Sequence, residues 1–127
     1  EDFRVPLSAQ AVRIINQARP FERDGFLFPS VRKGVISDAT MARLMERRGM
    51  EARPHGFRSS LRTWLAETTD ATHEVAEAML AHMTDSKVVR TYRRTDYLDQ
   101  RLVLLERWAD FVTGSATGVV NLVERVE

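Results

Sequence analysis

Toward the end of the chain the apolar residues Leu98, Leu102, Leu105, Trp108 and Phe111 recur at spacings of three and four. That is the period of one face of an α-helix, and it excludes the strict alternation of a half-buried strand. Thr95 ahead of the run can cap a helix and Gly114 behind it can end one, so a long helix is expected between them. The same period appears upstream. Ser8 can cap a helix that runs to about Gln17, with Ala11, Val12, Ile14 and Ile15 at helical spacing and Pro20 as its stop. Ser37 opens a second, with Met41, Leu44 and Met45 on its buried stripe and Gly49 at its end. A third follows Arg53-Pro54 and reaches about Thr69, placing Phe57, Leu61, Trp64 and Leu65 on one face. Thr72 or His73 starts a fourth, carrying Val75, Ala76, Met79 and Leu80, and a short helix is expected near 86–93.

Little is left for a sheet. Residues 3–7 (Phe-Arg-Val-Pro-Leu) form an apolar run too short to be more than the end of a strand or hairpin. Asp24-Gly25 is a turn signal before Phe26-Leu27-Phe28-Pro29, and a loop follows to Gly34. The expected fold is mainly α with a vestige of sheet at its front. A chain that opens in mid-strand is expected to begin inside a larger domain. The tail 115–127 holds Val119, Val120, Leu122, Val123 and Val126, too many apolar residues for a free solvated end. It is expected to pack against its own domain, with a strand beside 3–7 as one arrangement, or against a neighbouring protomer.

Composition closes off several classes of function. A chain of 127 residues suits one domain or part of one, and 43% hydrophobic content excludes wholesale disorder. No stretch approaches the roughly 20 apolar residues that a membrane span requires, and Glu1-Asp2-Phe3-Arg4 lacks the order of a secretory signal. The absence of cysteine excludes a disulfide scaffold, a thiolate metal site and a cysteine nucleophile. It fits a reducing, cytoplasmic setting.

Nineteen Lys and Arg against eighteen Asp and Glu leave a net charge of +1, which says little about partners. The distribution says more. Arg43, Arg47, Arg48, Arg53, Arg58 and Arg62 crowd a stretch opposed only by Glu46 and Glu51. Lys87, Arg90, Arg93 and Arg94 form a second group, whereas Glu67, Asp70, Glu74 and Glu77 gather elsewhere. Such segregation can give a nearly neutral protein a phosphate-binding face; the alternative is an ordinary solvated helix surface.

His55 and Arg58 stand three apart at the start of the third expected helix and so share a face. The positive end of the helix dipole and its first N–H groups would add to the seat they offer a phosphate. The alternative is a capped helix with an exposed arginine. His82 follows the apolar Met79-Leu80-Ala81, where a histidine also serves as a C-terminal dipole partner. Tyr92 is flanked by Arg90, Arg93 and Arg94. With an ordinary pKa of about 10, its phenolate costs about 3.4 kcal/mol near pH 7.5. Neighbouring arginines lower that cost and a histidine can take the proton, so Tyr92 reads either as a nucleophile or as a half-buried aromatic.

Three segments in one order carry a resemblance: Pro54-His55-Gly56-Phe57-Arg58-Ser59-Ser60, then Met79-Leu80-Ala81-His82, then Thr91-Tyr92-Arg93-Arg94-Thr95-Asp96-Tyr97-Leu98. Together they resemble the catalytic domain of tyrosine recombinases of the prophage-integrase type. Val5-Pro6-Leu7-Ser8 and Leu27-Phe28-Pro29-Ser30 look like that family's earlier segments, so the resemblance covers about 3–113. It implies the helical C-terminal part of an α+β catalytic domain over 1–113, followed by the tail. It also implies site-specific recombination at double-stranded DNA attachment sites by a homo-tetramer, for integration or excision. A tyrosine attacks the scissile phosphate, a 3′-phosphotyrosine and a free 5′-hydroxyl result, and neither ATP, metal nor other cofactor is required.

By the same resemblance Tyr92 is the nucleophile, and Arg58 clamps the nonbridging phosphate oxygens. His55 is the acid–base or phosphate-bonding histidine and His82 the second histidine at that phosphate. Arg53, Arg62, Lys87, Arg90 and Arg93 are candidate contacts to DNA phosphates. The side chains of His55, Arg58 and His82 should then converge on one exposed basic face. Tyr97 is the rival nucleophile, but five helical residues rotate it by roughly 140° from Tyr92, and it is expected to pack with Trp108 or Trp64.

Two departures stand out. The family's first arginine and its hairpin lysine should precede Phe3, and neither Arg4 nor Lys33 matches their setting, so the chain is expected to be inactive by itself. Ala81 stands where many relatives have glycine. The alternative functions are a non-catalytic DNA-binding module or a degenerate integrase remnant. A metal-dependent nuclease built on His55, His73 and His82 lacks suitably spaced carboxylates.

Overall fold

The computed structural model describes residues 3–81 and 96–114. Within them run five α-helices: α1 (Ala9–Ala18), α2 (Thr40–Arg47), α3 (Gly56–Thr68), α4 (His73–Met79) and α5 (Leu98–Thr113), with a 3-10 turn, Arg19–Phe21, after α1. The fold is mainly α. Ser8 caps α1 by accepting the Ala11 N–H at 3.2 Å, and Thr72 caps α4 by accepting that of Val75 at 3.4 Å. Ser37 does not cap α2. That helix begins at Thr40, whose N–H first donates to the Ser37 carbonyl at 3.0 Å in a preceding turn. Gly49 ends α2 at φ +70°, a backbone that costs any other residue roughly 1–2 kcal/mol.

Among the described residues no strand forms. Residues 3–7 have no ladder partner, and Pro6 lacks the N–H that a ladder needs. What sheet character exists lies further on, as isolated antiparallel bridges joining Arg23 to Phe26 and Pro29 to Val35. The first closes over Asp24 (φ +54°) and Gly25 (φ +78°), the two left-handed residues of a type I′ turn. Arg23 Nη2 also donates to the Ser30 carbonyl, tying the two bridges together.

The core lies between α3, α4 and α5. Trp64, Leu65, Val75, Ala76 and Leu104 are buried there, with Leu61, Ala71, Met79, Tyr97 and Trp108 packed around them. Trp64 meets Trp108 at 5.3 Å between ring centroids, and Phe111 stacks on Trp108 at 5.6 Å. Arg107 lies 5.9 Å over the Trp64 ring and donates to the Thr68 carbonyl at 3.4 Å, at the negative end of α3. α1 has no buried residue and is tied to α5 by polar contacts. The Ala9 N–H donates to Glu106 at 2.9 Å and the Gln10 amide to Asp110 at 2.8 Å.

Two expected stripes are corrected. In α2 only Met45 is buried, while Met41 and Leu44 are exposed. In α5 the buried residues are Arg101, Leu104 and Ala109, and Leu102 is exposed. The inward face is rotated because an arginine occupies a position that apolar spacing alone assigns to its neighbour. Phe57, at the start of α3, is also exposed. The helix expected near 86–93, the cap at Thr95 and the tail 115–127 lie outside the described residues. Among the described residues, no helix is long and apolar enough to cross a membrane.

Candidate functional site

The approach to α3 is shaped by Arg53. One nitrogen, Nη1, donates to the carbonyls of Met50, Glu51 and Ala52 at 2.9, 3.1 and 3.0 Å. This gathers the turn between α2 and α3 around a single cation and sets the path into His55. The expected phosphate ligand thus has an intramolecular task as well. Tight turns continue into the helix: Gly56 N–H donates to the Arg53 carbonyl, Phe57 N–H to Pro54 and Arg58 N–H to His55, at 2.9, 3.2 and 3.1 Å.

That pattern corrects one expectation. The first three amides of α3 already have carbonyl acceptors, so the helix N-terminus offers a phosphate no free N–H cradle at those positions. An anion at this point would have to be met by side chains. His55 is exposed and occupies the N-cap position without a side-chain capping bond. Arg58 is half-buried, and its guanidinium makes no hydrogen bond or ion pair among the described residues. A partly desolvated cation without a carboxylate beside an exposed imidazole is suited to an incoming phosphate.

Arg62, one turn further along α3, is engaged otherwise. Its Nη1 lies 2.7 Å from Glu77 Oε1 on α4, and its Nη2 lies 3.4 Å from His73 Nδ1. The pair clamps α3 to α4 on the edge of the core. Of the expected site residues the structure therefore brings His55 and Arg58 together within one turn. It places Arg53 in the turn before them and Arg62 in an ion pair. His82, Tyr92, Lys87, Arg90 and Arg93 lie outside the described residues.

Tyr97, the rival nucleophile, packs half-buried against the core that holds Trp64 and Trp108, as expected. Tyr97 is left-handed (φ +55°) and precedes α5 rather than lying within it, so helical rotation does not set its direction. Asp96 does the capping there, its Oδ1 accepting the Leu98 N–H at 3.2 Å.

Sequence reasoning missed a cluster around that point. Asp96 Oδ2 accepts from Arg4 Nη2 at 2.7 Å and from Nε at 3.0 Å. Arg101, 1% exposed, donates to the Arg4 carbonyl at 2.8 Å and to the Asp96 carbonyl at 3.2 Å, with its guanidinium 4.8 Å over the Phe3 ring. The hydrogen bond from Arg4 holds the Asp96 carboxyl below its ordinary value, opposed by desolvation and reinforced by the Arg4 charge. Burial pushes Arg101 down from the usual guanidinium range, and the nearby Asp96 charge opposes that shift. A signal was present in the sequence: Tyr97, Arg101, Leu104 and Trp108 follow helical spacing with a charge inside the apolar stripe.

Comparison with known proteins gives named relatives. The chain is 35% identical over 126 residues to the prophage integrase IntA of Escherichia coli K12, covering 95% of this chain and 30% of that protein. It is 28% identical over 131 residues to the integrase of enterobacteria phage P4, covering 97% and 30%. With the prophage integrase IntZ of Escherichia coli K12 it shares 32% identity over 127 residues, covering 94% and 31%. The chain thus spans about three-tenths of the length of these relatives. No protein-family model and no solved structure matches it significantly. The integrase resemblance carried by the three sequence segments is therefore matched by named integrases along nearly the whole chain.

Proposed function

We propose that this chain is the C-terminal portion of an integrase catalytic domain, over 1–113, with 114–127 as a docking tail, and that the full-length protein performs site-specific DNA recombination. The similarity to prophage integrase IntA along 95% of the chain carries this reading. The half-buried Arg58, without an ion-pair partner among the described residues and one turn from an exposed His55, supports it chemically. Double-stranded DNA bearing an attachment site is the substrate, bound by four protomers in the cytoplasm.

The reaction is an exchange of phosphodiesters. The Tyr92 hydroxyl attacks the scissile phosphorus and gives up its proton to a histidine. The bond to the 5′-oxygen breaks, that oxygen leaves as a hydroxyl once protonated, and a 3′-phosphotyrosine remains. The 5′-hydroxyl of a partner strand then reverses the step, so the bond energy is conserved. Arg58 neutralises charge building on the nonbridging oxygens, with a fork that matches phosphate and stays charged at every working pH. His55 and His82 hydrogen-bond the same phosphate or move its protons. The family's first arginine and its lysine have no counterpart in these residues, so residues 1–127 alone are inactive.

A nicked duplex carrying the attachment site tests the reading, because the short strand diffuses away after cleavage and traps the intermediate. A covalent protein–DNA adduct is expected with the full-length protein in the presence of chelator. Arg58→Ala should lower its rate by roughly 10²–10³-fold, the scale of losing a preorganised transition-state donor. No adduct on a duplex that the protein demonstrably binds would favour a non-catalytic DNA-binding module or a degenerate integrase.

A further inference from the structure

The strongest unexplained feature is a charge in the core. Arg101 is 1% exposed, yet no carboxylate lies in ion-pair range of it among the described residues. Its Nε–H has no acceptor among the described residues. Guanidinium is never neutral at working pH, and a buried cation whose nearby carboxylate, Asp96, is not in direct ion-pair contact with it is a poor way to stabilise a core; an apolar side chain of similar size commonly serves as well or better. The residue is better explained by what its fork holds.

It holds two remote pieces of chain. One nitrogen takes the Arg4 carbonyl at 2.8 Å and another the Asp96 carbonyl at 3.2 Å. Arg4 and Asp96 are then joined a second time through their own side chains, at 2.7 Å. Asp96 also receives the first amide of α5, and Tyr97 beside it is fixed in a left-handed conformation against the core. The chain entering α5 is therefore pinned through backbone, side chain and ring together. Tyr92 is four residues ahead, so covalent geometry alone keeps its Cα within about 14 Å of this joint.

We propose that Arg101, with the Arg4–Asp96 pair, is a positioning device that fixes the point from which the Tyr92-bearing segment reaches the scissile phosphate. The inference rests on the reading of Tyr92 as nucleophile. None of the three residues touches the reacting atoms; they act through Tyr92, and in-line attack is sensitive to displacements of about 1 Å, which can cost about a hundredfold in rate. DNA affinity is not their task.

The test uses the full-length protein and the nicked attachment-site duplex, measuring single-turnover adduct rate at saturating DNA separately from the dissociation constant. Arg101→Met keeps the volume and removes the donors. Asp96→Asn keeps an acceptor for the Leu98 amide and removes the ion pair; it decides the matter should Arg101→Met fail to fold. Measured well below the melting temperature, the folded variants should form adduct at least about tenfold more slowly, with DNA affinity within about twofold of wild type. Unchanged adduct rates, or rates and affinities that fall together, would overturn the positioning role while leaving the nucleophile intact. An adduct that persists in Tyr92→Phe, or none with the wild type on DNA it binds, would overturn the underlying reading instead.

Discussion

Ala81 adopts φ +52° at the end of α4, immediately before His82. For an alanine the left-handed region costs roughly 1–2 kcal/mol, which glycine avoids at the expense of greater unfolded-chain entropy. Ala81→Gly should therefore stabilise the protein by about 0.5–1 kcal/mol in denaturant titration. A loss of stability would show that the alanine methyl makes a contact outweighing its strain. Asp96 gives a second prediction at this scale. Its folded pKa is depressed, so the unfolded chain binds the proton more tightly and stability rises with pH across the window. The contribution is complete above the ordinary carboxylate value of about 3.9 and fades as pH falls through the lowered one. Asp96→Asn should flatten that acid limb and leave the neutral-to-alkaline limb unchanged.

At the scale of elements, burial rather than apolarity decides what a side chain contributes. Leu65 is 1% exposed in α3 and Met41 is 57% exposed in α2, although both sit on expected apolar stripes. Leu65→Ala should cost about 2–5 kcal/mol, whereas Met41→Ala, which leaves no cavity, should cost well under 1 kcal/mol. Arg62→Ala, which takes the cation from a Glu77 carboxylate only 12% exposed, should cost about 1–3 kcal/mol, between the other two. Chemical denaturation of the three variants checks the ranking. Helix existence was legible because caps and stops are local: Ser8, Thr72, Gly49 and the Asp24-Gly25 turn all act where sequence chemistry puts them. Facing was less legible. The spacing of Tyr97, Arg101, Leu104 and Trp108 hints that Arg101 turns inward, but two overlapping stripes compete on α5, and which of them is buried, like the exposure of Met41 on α2, depends on what another element places opposite.

For the whole molecule, the distribution of apolar packing sets the order of local opening. The buried cluster belongs to α3, α4 and α5, whereas α1 leans on α5 through polar bonds and α2 buries Met45 alone. Val31, on the loop closed by the Pro29–Val35 bridge, is 96% exposed. Hydrogen exchange should accordingly protect amides of α3 and α5 most, with α2 and the 23–35 region exchanging earlier. Equal protection across all five helices would contradict this division. The candidate site was legible in type and only partly in arrangement. The neighbouring His55 and Arg58 follow from helical spacing, but the engagement of the α3 amides by preceding carbonyls, the carbonyl-gathering role of Arg53 and the Arg62–Glu77 pair are products of the turn and of tertiary contact.

The central claim concerns one atom, the Tyr92 hydroxyl oxygen. The most direct measurement is to form the adduct on the nicked attachment-site duplex, digest protein and DNA, and locate the nucleotide-bearing residue by mass spectrometry. A nucleotide linked through its 3′-phosphate to Tyr92, on the peptide that also holds Thr91, is expected. A nucleotide on Tyr97, whose ring packs in the core, or on any residue other than Tyr92, would contradict it.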